Sequence, residues 1–285
     1  MGKKQHVVPR AYLKNFQNEN GKVYAYNLKN NKAFLTNVNE VCFHNYSYEA
    51  AKKDHNNKLE SILSKYESDY MPHINMIVEK FNQGILKKED INHEICYKFM
   101  ILQYLRSDSN RIMYTGAVFG LEDMIIHPSI NTLENLDFGR VYFNARFENK
   151  NELKKFLNMA YGHEQPIIHV ISTKDLHLIT SDNPVIAYYY PTRLNCETMV
   201  IMLPISPNIC LYFYGMDSNK KYQKQSDVFP EQLHDSDVYK INQGIIYVAN
   251  YWIISKNDFN IIEFNLINKS LAYKANRDVN NKNQY

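Results

Sequence analysis

The sequence predicts an α+β fold, in which a helical layer from the first half of the chain packs on a mixed or antiparallel β-sheet. That sheet is expected to come largely from the second half, plus an N-terminal hairpin. Three observations predict this. Residues 1–56 hold short aromatic and apolar runs separated by turn residues, an apolar period of three and four governs residues 57–137, and strand-length apolar runs dominate residues 138–279. With no internal repeat and no long linker, residues 1–285 read as a single α+β domain, with 280–285 a frayed tail.

Gln5-His6-Val7 reads as extended chain leading into a short helix over residues 9–16, because Pro9 suits a first turn and Tyr12, Leu13 and Phe16 then share one face. His6 stands at that helix entrance, where the positive end of the helix dipole favours an anion. Val23–Leu28 and Ala33–Val38 are expected to pair across Asn30-Asn31-Lys32. Leu59, Leu63, Tyr66, Tyr70, Ile74, Ile77, Val78 and Phe81 mark a helix expected to break or kink near Pro72. A second helix is expected from Lys88-Glu89-Asp90, capped by Asp90, through Ile95, Phe99, Leu102 and Leu105. Residues 112–137 read as irregular helix, Arg140–Ala145 as a strand and Lys150–Tyr161 as a surface helix. Pro166–Ser172 and His177–Thr180 read as strands paired around Thr173-Lys174-Asp175. Met199–Ile205 and Ile209–Tyr214 read as a hairpin with Ser206-Pro207-Asn208 at its tip, followed by a helix carrying Val238, Ile241, Asn242, Ile245 and Ile246.

Bulk properties exclude several classes. The chain is 45% hydrophobic with 23 Tyr and 14 Phe, which is a core-forming composition and not a disordered one. Thirty-three basic against 30 acidic residues give +3, too slight a bias to argue for nucleic acid by itself. Cys42, Cys96, Cys196 and Cys210 form no Cys-x-x-Cys pair, so reduced thiols in a cytoplasmic protein are expected. No apolar region follows Met1-Gly2-Lys3-Lys4 and no run is long enough to span a bilayer, so no membrane association is expected.

Certain polar residues fall where apolar ones belong. Gln103 and Arg106 continue the stripe of their helix, with Asn110 next in line, and Glu60 and Glu67, seven apart, border the stripe of theirs. A buried arginine needs partners, and Glu60–Arg106 or Glu67–Arg10 ion pairs would supply them. Arg111, Lys87-Lys88 and Lys220-Lys221 read as ordinary surface charge.

Taken together, Gln5-His6-x-x-Pro9-x-x-Tyr12-Leu13-x-x-Phe16, Leu59-Glu60-x-x-Leu63-x-x-x-Glu67, Gln103-x-x-Arg106 and Thr180-Ser181-Asp182-Asn183-Pro184-Val185 resemble a bacterial family, the domain of unknown function 4238. The resemblance extends to Leu203-Pro204-Ile205-Ser206-Pro207. It implies no established activity. By analogy with families found beside mobile or anti-phage defence genes, it raises the expectation of a nuclease or toxin.

The residues themselves suggest one reaction. Glu60, Glu67 and Asp182 would hold Mg²⁺ or Mn²⁺, His6 would activate or protonate water, and Arg106 with Arg10 would stabilise phosphoryl charge. Gln5, Gln103 and Asn183 would help bind a nucleic acid or nucleotide substrate. The resulting reading is a phosphodiester hydrolase in defence or toxicity. No P-loop, Gly-x-Ser-x-Gly, His-Glu-x-x-His or recognised nuclease signature accompanies it. Two other readings stand beside it: a module that senses a nucleotide or other ligand without chemistry, and a partner-binding protein whose polar cluster is a buried network. Ser181-Asp182-Asn183-Pro184 is also good turn chemistry, and Glu60 and Glu67 could be a solvated helix face.

Overall fold

The computed structural model describes residues 4–45, 47, 58–121, 133–164, 167–191, 197–214 and 229–282. It is α+β, with the β-structure divided between two main sheets and one small ribbon. β1 (Lys4–His6) pairs antiparallel with β4 (Phe43–Asn45) in the ribbon. A four-stranded sheet has the order β3 (Lys32–Thr36), β2 (Val23–Asn27), β11 (Trp252–Ser255), β6 (Thr180–Ser181). A five-stranded sheet has the order β10 (Glu231–Gln232), β5 (Ile168–Ser172), β9 (Ile209–Tyr214), β8 (Glu197–Ser206), β7 (Ile186–Pro191). Only the β10–β5 pair is parallel, so this sheet is mixed.

The helices follow the sequence with instructive exceptions. α1 (Arg10–Leu13) starts after Pro9 and tightens into a 3₁₀ turn at Lys14–Phe16, as the opening motif predicts. α2 (Lys58–Asn82) continues past Pro72 without the interruption that was one of the two expected outcomes there, and Met71, Ile74, Ile77 and Val78 keep one face buried on both sides of it. α3 (His93–Arg106) is capped by Asn92, whose side chain accepts from the N–H of Ile95 at 3.0 Å; Lys88–Asp90 is a separate 3₁₀ turn. α4 (Asp108–Phe119) follows after one residue, Ser107.

The expected strand at Arg140–Ala145 is instead the end of helix α5 (Leu133–Phe147). Gly139, Phe143 and Phe147 recur at four-residue spacing against α4, and the two phenylalanine rings lie 4.7 Å apart. That repeat overrides the β-propensity of Val141-Tyr142-Phe143. α6 (Lys150–Glu164) and α7 (Asp235–Val248) lie where expected, and α8 (Ile261–Lys282) runs into the supposed tail. The expected pairing of His177–Thr180 with β5 does not form. The Leu178 N–H donates to the Pro207 carbonyl at 2.8 Å and that of Ile179 to the Asn242 side chain at 3.1 Å, while Thr180–Ser181 joins β11.

Alternation divides the five-stranded sheet between two cores. Ile168, Val170, Ile201, Leu203, Leu211 and Phe213 face α2 and α3, with Phe213 edge-on to Tyr97 at 5.1 Å. Ile171, Ile186, Val200, Met202 and Cys210 face Val238, Ile241 and Ile245 of α7. A third core lies among the helices, joining Leu59 and Leu63 to Leu102, Leu105, Phe143 and Leu157. Burial at this scale is worth roughly 1.5–3 kcal/mol for each large apolar side chain, enough to fix the layers. Tyr12 fastens α1 to both main sheets, bonding Thr180 at 2.7 Å and the Pro204 carbonyl at 2.5 Å.

Candidate functional site: a buried polar seam and an aromatic cleft

The break between α3 and α4 creates a polar seam inside the protein. Ser107 ends one helix and caps the next, its hydroxyl accepting from the Asn110 N–H at 3.3 Å. Around it Arg106, Asp108 and Arg111 are 3%, 2% and 0% exposed. Arg111, read from sequence as surface charge, is among the largest fully buried side chains; it donates to the carbonyls of Ser47 at 2.8 Å and Arg106 at 2.7 Å. Asp108 takes a two-pronged contact from Arg140 at 2.9 and 2.6 Å. Burial, the largest single effect, would raise the Asp108 carboxyl, but the Arg140 charge and hydrogen bonds together with the Arg111 and His44 charges outweigh it, and the group sits below its ordinary value. Asn144 also donates to the Ser47 carbonyl, at 3.0 Å. Lys220-Lys221 lies outside the described residues.

One end of the seam reaches the opening motif. Arg106 pairs with Glu67 and donates to the His6 backbone carbonyl at 2.6 Å, while Gln5 donates to Glu60 at 3.3 Å. Of the expected ion-pair partners, Glu67 therefore takes Arg106; Arg10 is exposed and reaches the Asn39 side chain at 3.4 Å. The half-buried His6 imidazole is pushed down to about 4 by burial, then by the Arg10 and Arg106 charges, so it is neutral at pH 7. Gln103 lies one helical turn before Arg106, 1% exposed, and neither end of its amide has a hydrogen-bond partner among the described residues.

The other end reaches the Ser-Asp-Asn-Pro corner. Asp182 accepts backbone N–H groups from Asn250 at 3.0 Å, Tyr251 at 2.9 Å and Trp252 at 3.3 Å. Burial lifts its carboxyl to about 7 against the lowering effect of those three donors. Asn183 donates to the Val248 carbonyl at 3.0 Å and accepts from Asn110 at 3.3 Å; Asn110 in turn donates to the Tyr104 carbonyl at 2.7 Å. Asn183 is thus bonded directly to the α3–α4 junction, and Asp182 fixes the chain between α7 and β11.

The structure therefore gathers Gln5, His6, Glu60, Glu67 and Arg106 into one network and links Asn183 to the same helical junction. It does not gather the expected metal set. Among the described residues no three His, Cys, Asp or Glu side chains are grouped to hold a metal ion. Glu67 is spent on Arg106, and both Asp182 oxygens accept backbone N–H groups. Glu60, Glu67 and Asp182 consequently do not fit Mg²⁺ or Mn²⁺ as a site.

Sequence reasoning missed a cleft on the opposite face of the five-stranded sheet. α7 covers only part of that face, leaving a cavity of about 730 Å³. Its floor includes His169, Tyr212 and Tyr214, and its helical wall includes Asp237, Lys240 and Tyr247. Tyr212 and Tyr214 have ring centroids 4.5 Å apart, and His169 stands edge-on to Tyr214 at 5.7 Å. The alternation His169/Ile171 and Cys210/Tyr212/Tyr214 carried a signal for this face, but nothing local indicated that α7 would stop short of covering it.

Fold and site together define an α+β protein with an internal charged seam and a separate open cleft. The profile described as protein of unknown function (DUF4238) matches residues 4–259, and the chain belongs to that family. Comparisons with curated proteins and with solved structures find no match. No helix among the described residues is long and apolar enough to cross a membrane, and Cys42, Cys96 and Cys210 are buried free thiols.

Proposed function

We propose that this protein acts by binding a small molecule in the cleft between α7 and the five-stranded sheet, and that the polar seam is the framework holding that cleft in shape. One contrast carries the reading. Arg106, Asp108, Arg111 and Asp182 bond within the chain at 3% exposure or less, whereas the cleft presents partly exposed tyrosine and carboxylate side chains. A hydrolytic centre needs room for substrate and water beside its charged groups, and these four side chains are buried and bonded to other parts of the chain. A cleft of about 730 Å³ lies within the ordinary size range of small-molecule sites.

The framework acts through α7. Its outer residues wall the cleft, and its end is tied down by Asn183 on the Val248 carbonyl and by Lys274 on that of Ala249. A preformed cleft loses little ordering entropy on binding. The test is a thermal melt of the full chain across a small-molecule panel, repeated with Gln243→Trp, which places bulk in the cleft. A bound ligand stabilises by mass action, about 2.7 kcal/mol at a hundredfold excess over Kd. Melt shifts that vanish in the tryptophan variant support the reading; shifts equal in both proteins refute it.

A second reading, phosphodiester hydrolysis of a nucleic acid or nucleotide in defence or toxicity, is favoured by one observation. Gln5, His6, Glu60, Glu67 and Arg106 meet, and burial keeps the half-buried His6 neutral, the form a general base requires. Hydrolysis of bis(p-nitrophenyl) phosphate that disappears in His6→Ala, with an unchanged melt, would select this reading over the first.

A further inference from the structure

We infer that the cleft between α7 and the five-stranded sheet selects an organic ammonium cation and rejects phosphorylated ligands. This rests on the ligand-binding reading above and adds the charge of what is bound. The described lining contributes two carboxylates, Glu231 and Asp237, and no arginine. Its single lysine, Lys240, lies 2.9 Å from Asp237 with its side chain 74% exposed, so its charge is already answered within the wall. Burial lowers His169, which keeps it neutral near pH 7 despite the nearby Glu231. The described lining is left with one uncompensated negative charge beside aromatic rings.

The ring geometry agrees with that charge. Tyr212 and Tyr214 are tilted 53° to one another, and His169 meets Tyr214 at 86°, so the floor is faceted and not a single flat stack. Tyr247 rises opposite from α7. Tyrosine faces carry negative quadrupole charge and attract ammonium groups, with nearby carboxylates reinforcing the attraction. A phosphate entering the same space would meet Glu231 and Asp237 with no arginine fork from the described residues to receive it.

The experiment uses three probes sharing one ring: tryptamine, 3-methylindole and indole-3-acetate, titrated calorimetrically into the full chain and into Glu231→Gln, Tyr214→Ala and Gln243→Trp. Tryptamine should bind at least about tenfold tighter than indole-3-acetate. That preference should shrink in Glu231→Gln, affinity for all three should weaken in Tyr214→Ala, and Gln243→Trp should abolish binding. Equal affinity for the three probes, or tighter binding of the acetate, overturns the cation inference while leaving the ligand-binding reading in place. Tryptamine binding that survives Gln243→Trp places the site elsewhere and overturns the inference. No binding of any probe overturns the inference, while the ligand-binding reading is decided by the melts across the small-molecule panel.

Discussion

The Arg106 guanidinium donates to the His6 backbone carbonyl at 2.6 Å, joining positions 100 residues apart in the chain. The contact fixes the register of the opening motif against the end of α3. Because Arg106 also pairs with Glu67, one side chain ties together α2, α3 and the β1 strand. The adjacent junction extends this tie to α5 through Asp108 and Arg140, and to the Ser-Asp-Asn-Pro corner through Asn110 and Asn183.

Asp108→Ala should be strongly destabilising. It removes the carboxylate shared by Arg140 and the fully buried Arg111, which lies 3.8 Å away. Stranding buried charge of this kind costs about 3–5 kcal/mol, measurable as a shift of the urea midpoint. A loss under about 1 kcal/mol would mean that Arg111 is served by its carbonyl partners alone.

His44 and Asp182 should give opposite pH slopes. Burial first, then Arg140 and Arg111, lowers His44 from 6.5 to about 4, with Asp108 opposing. Between those values the unfolded chain binds more protons, so stability falls as pH drops from about 6.5 towards 4. Burial raises Asp182 from 3.8 to about 7, so the folded chain binds more protons in that interval and stability falls as pH rises through it. Melting curves recorded from pH 4 to 7.5 should show a shallower acid-side fall in His44→Gln, with His6 supplying part of what remains, and should lose the neutral-side fall in Asp182→Asn. Curves parallel to wild type would contradict both assignments.

Gln103→Leu should be neutral or stabilising. The amide is buried without a hydrogen-bond partner among the described residues, so removing it relieves a desolvation cost of roughly 1–3 kcal/mol. A denaturation midpoint well below wild type would show that the amide is engaged in solution.

Gly139→Ala should destabilise despite alanine's better helix propensity. A Cβ at Gly139 would lie 3.0 Å from the Ile112 Cα and 3.1 Å from its backbone nitrogen, where α4 crosses α5. Backbone cannot swing aside as a side chain can, so an overpacking cost of about 1–3 kcal/mol should exceed a propensity gain of about 1 kcal/mol. A raised melting temperature would refute the close crossing.

What the sequence disclosed was mostly local. The apolar periods of α2, α3 and α7 were legible because a buried stripe shows in a helix's own spacing, and the β8–β9 hairpin because its two strands are neighbours in the chain. Arg140–Ala145 misled because aromatic and β-branched residues occupy a helix whose buried repeat is visible only once α4 lies against it. β6 was illegible for a related reason: its two residues pair with β11, some seventy positions away. The same distinction applies to the site. Polar residues in apolar stripes correctly marked Gln103, Arg106 and Asn110 as buried. The partners of Arg106 and Asn110 proved to be Glu67 and the His6 carbonyl for the one, and Asn183 and the Tyr104 carbonyl for the other. Asp182 looked like a metal ligand because nothing in its neighbourhood announces three backbone N–H groups from residues 250–252.

The most direct test of the account is the urea unfolding of Arg106→Ala, read alongside phosphodiester hydrolysis by the same preparation. The seam as framework predicts a midpoint lowered by the equivalent of about 3–5 kcal/mol, since Glu67 loses its partner and the His6 carbonyl its donor. A wild-type midpoint together with the loss of a measurable hydrolytic activity would contradict it.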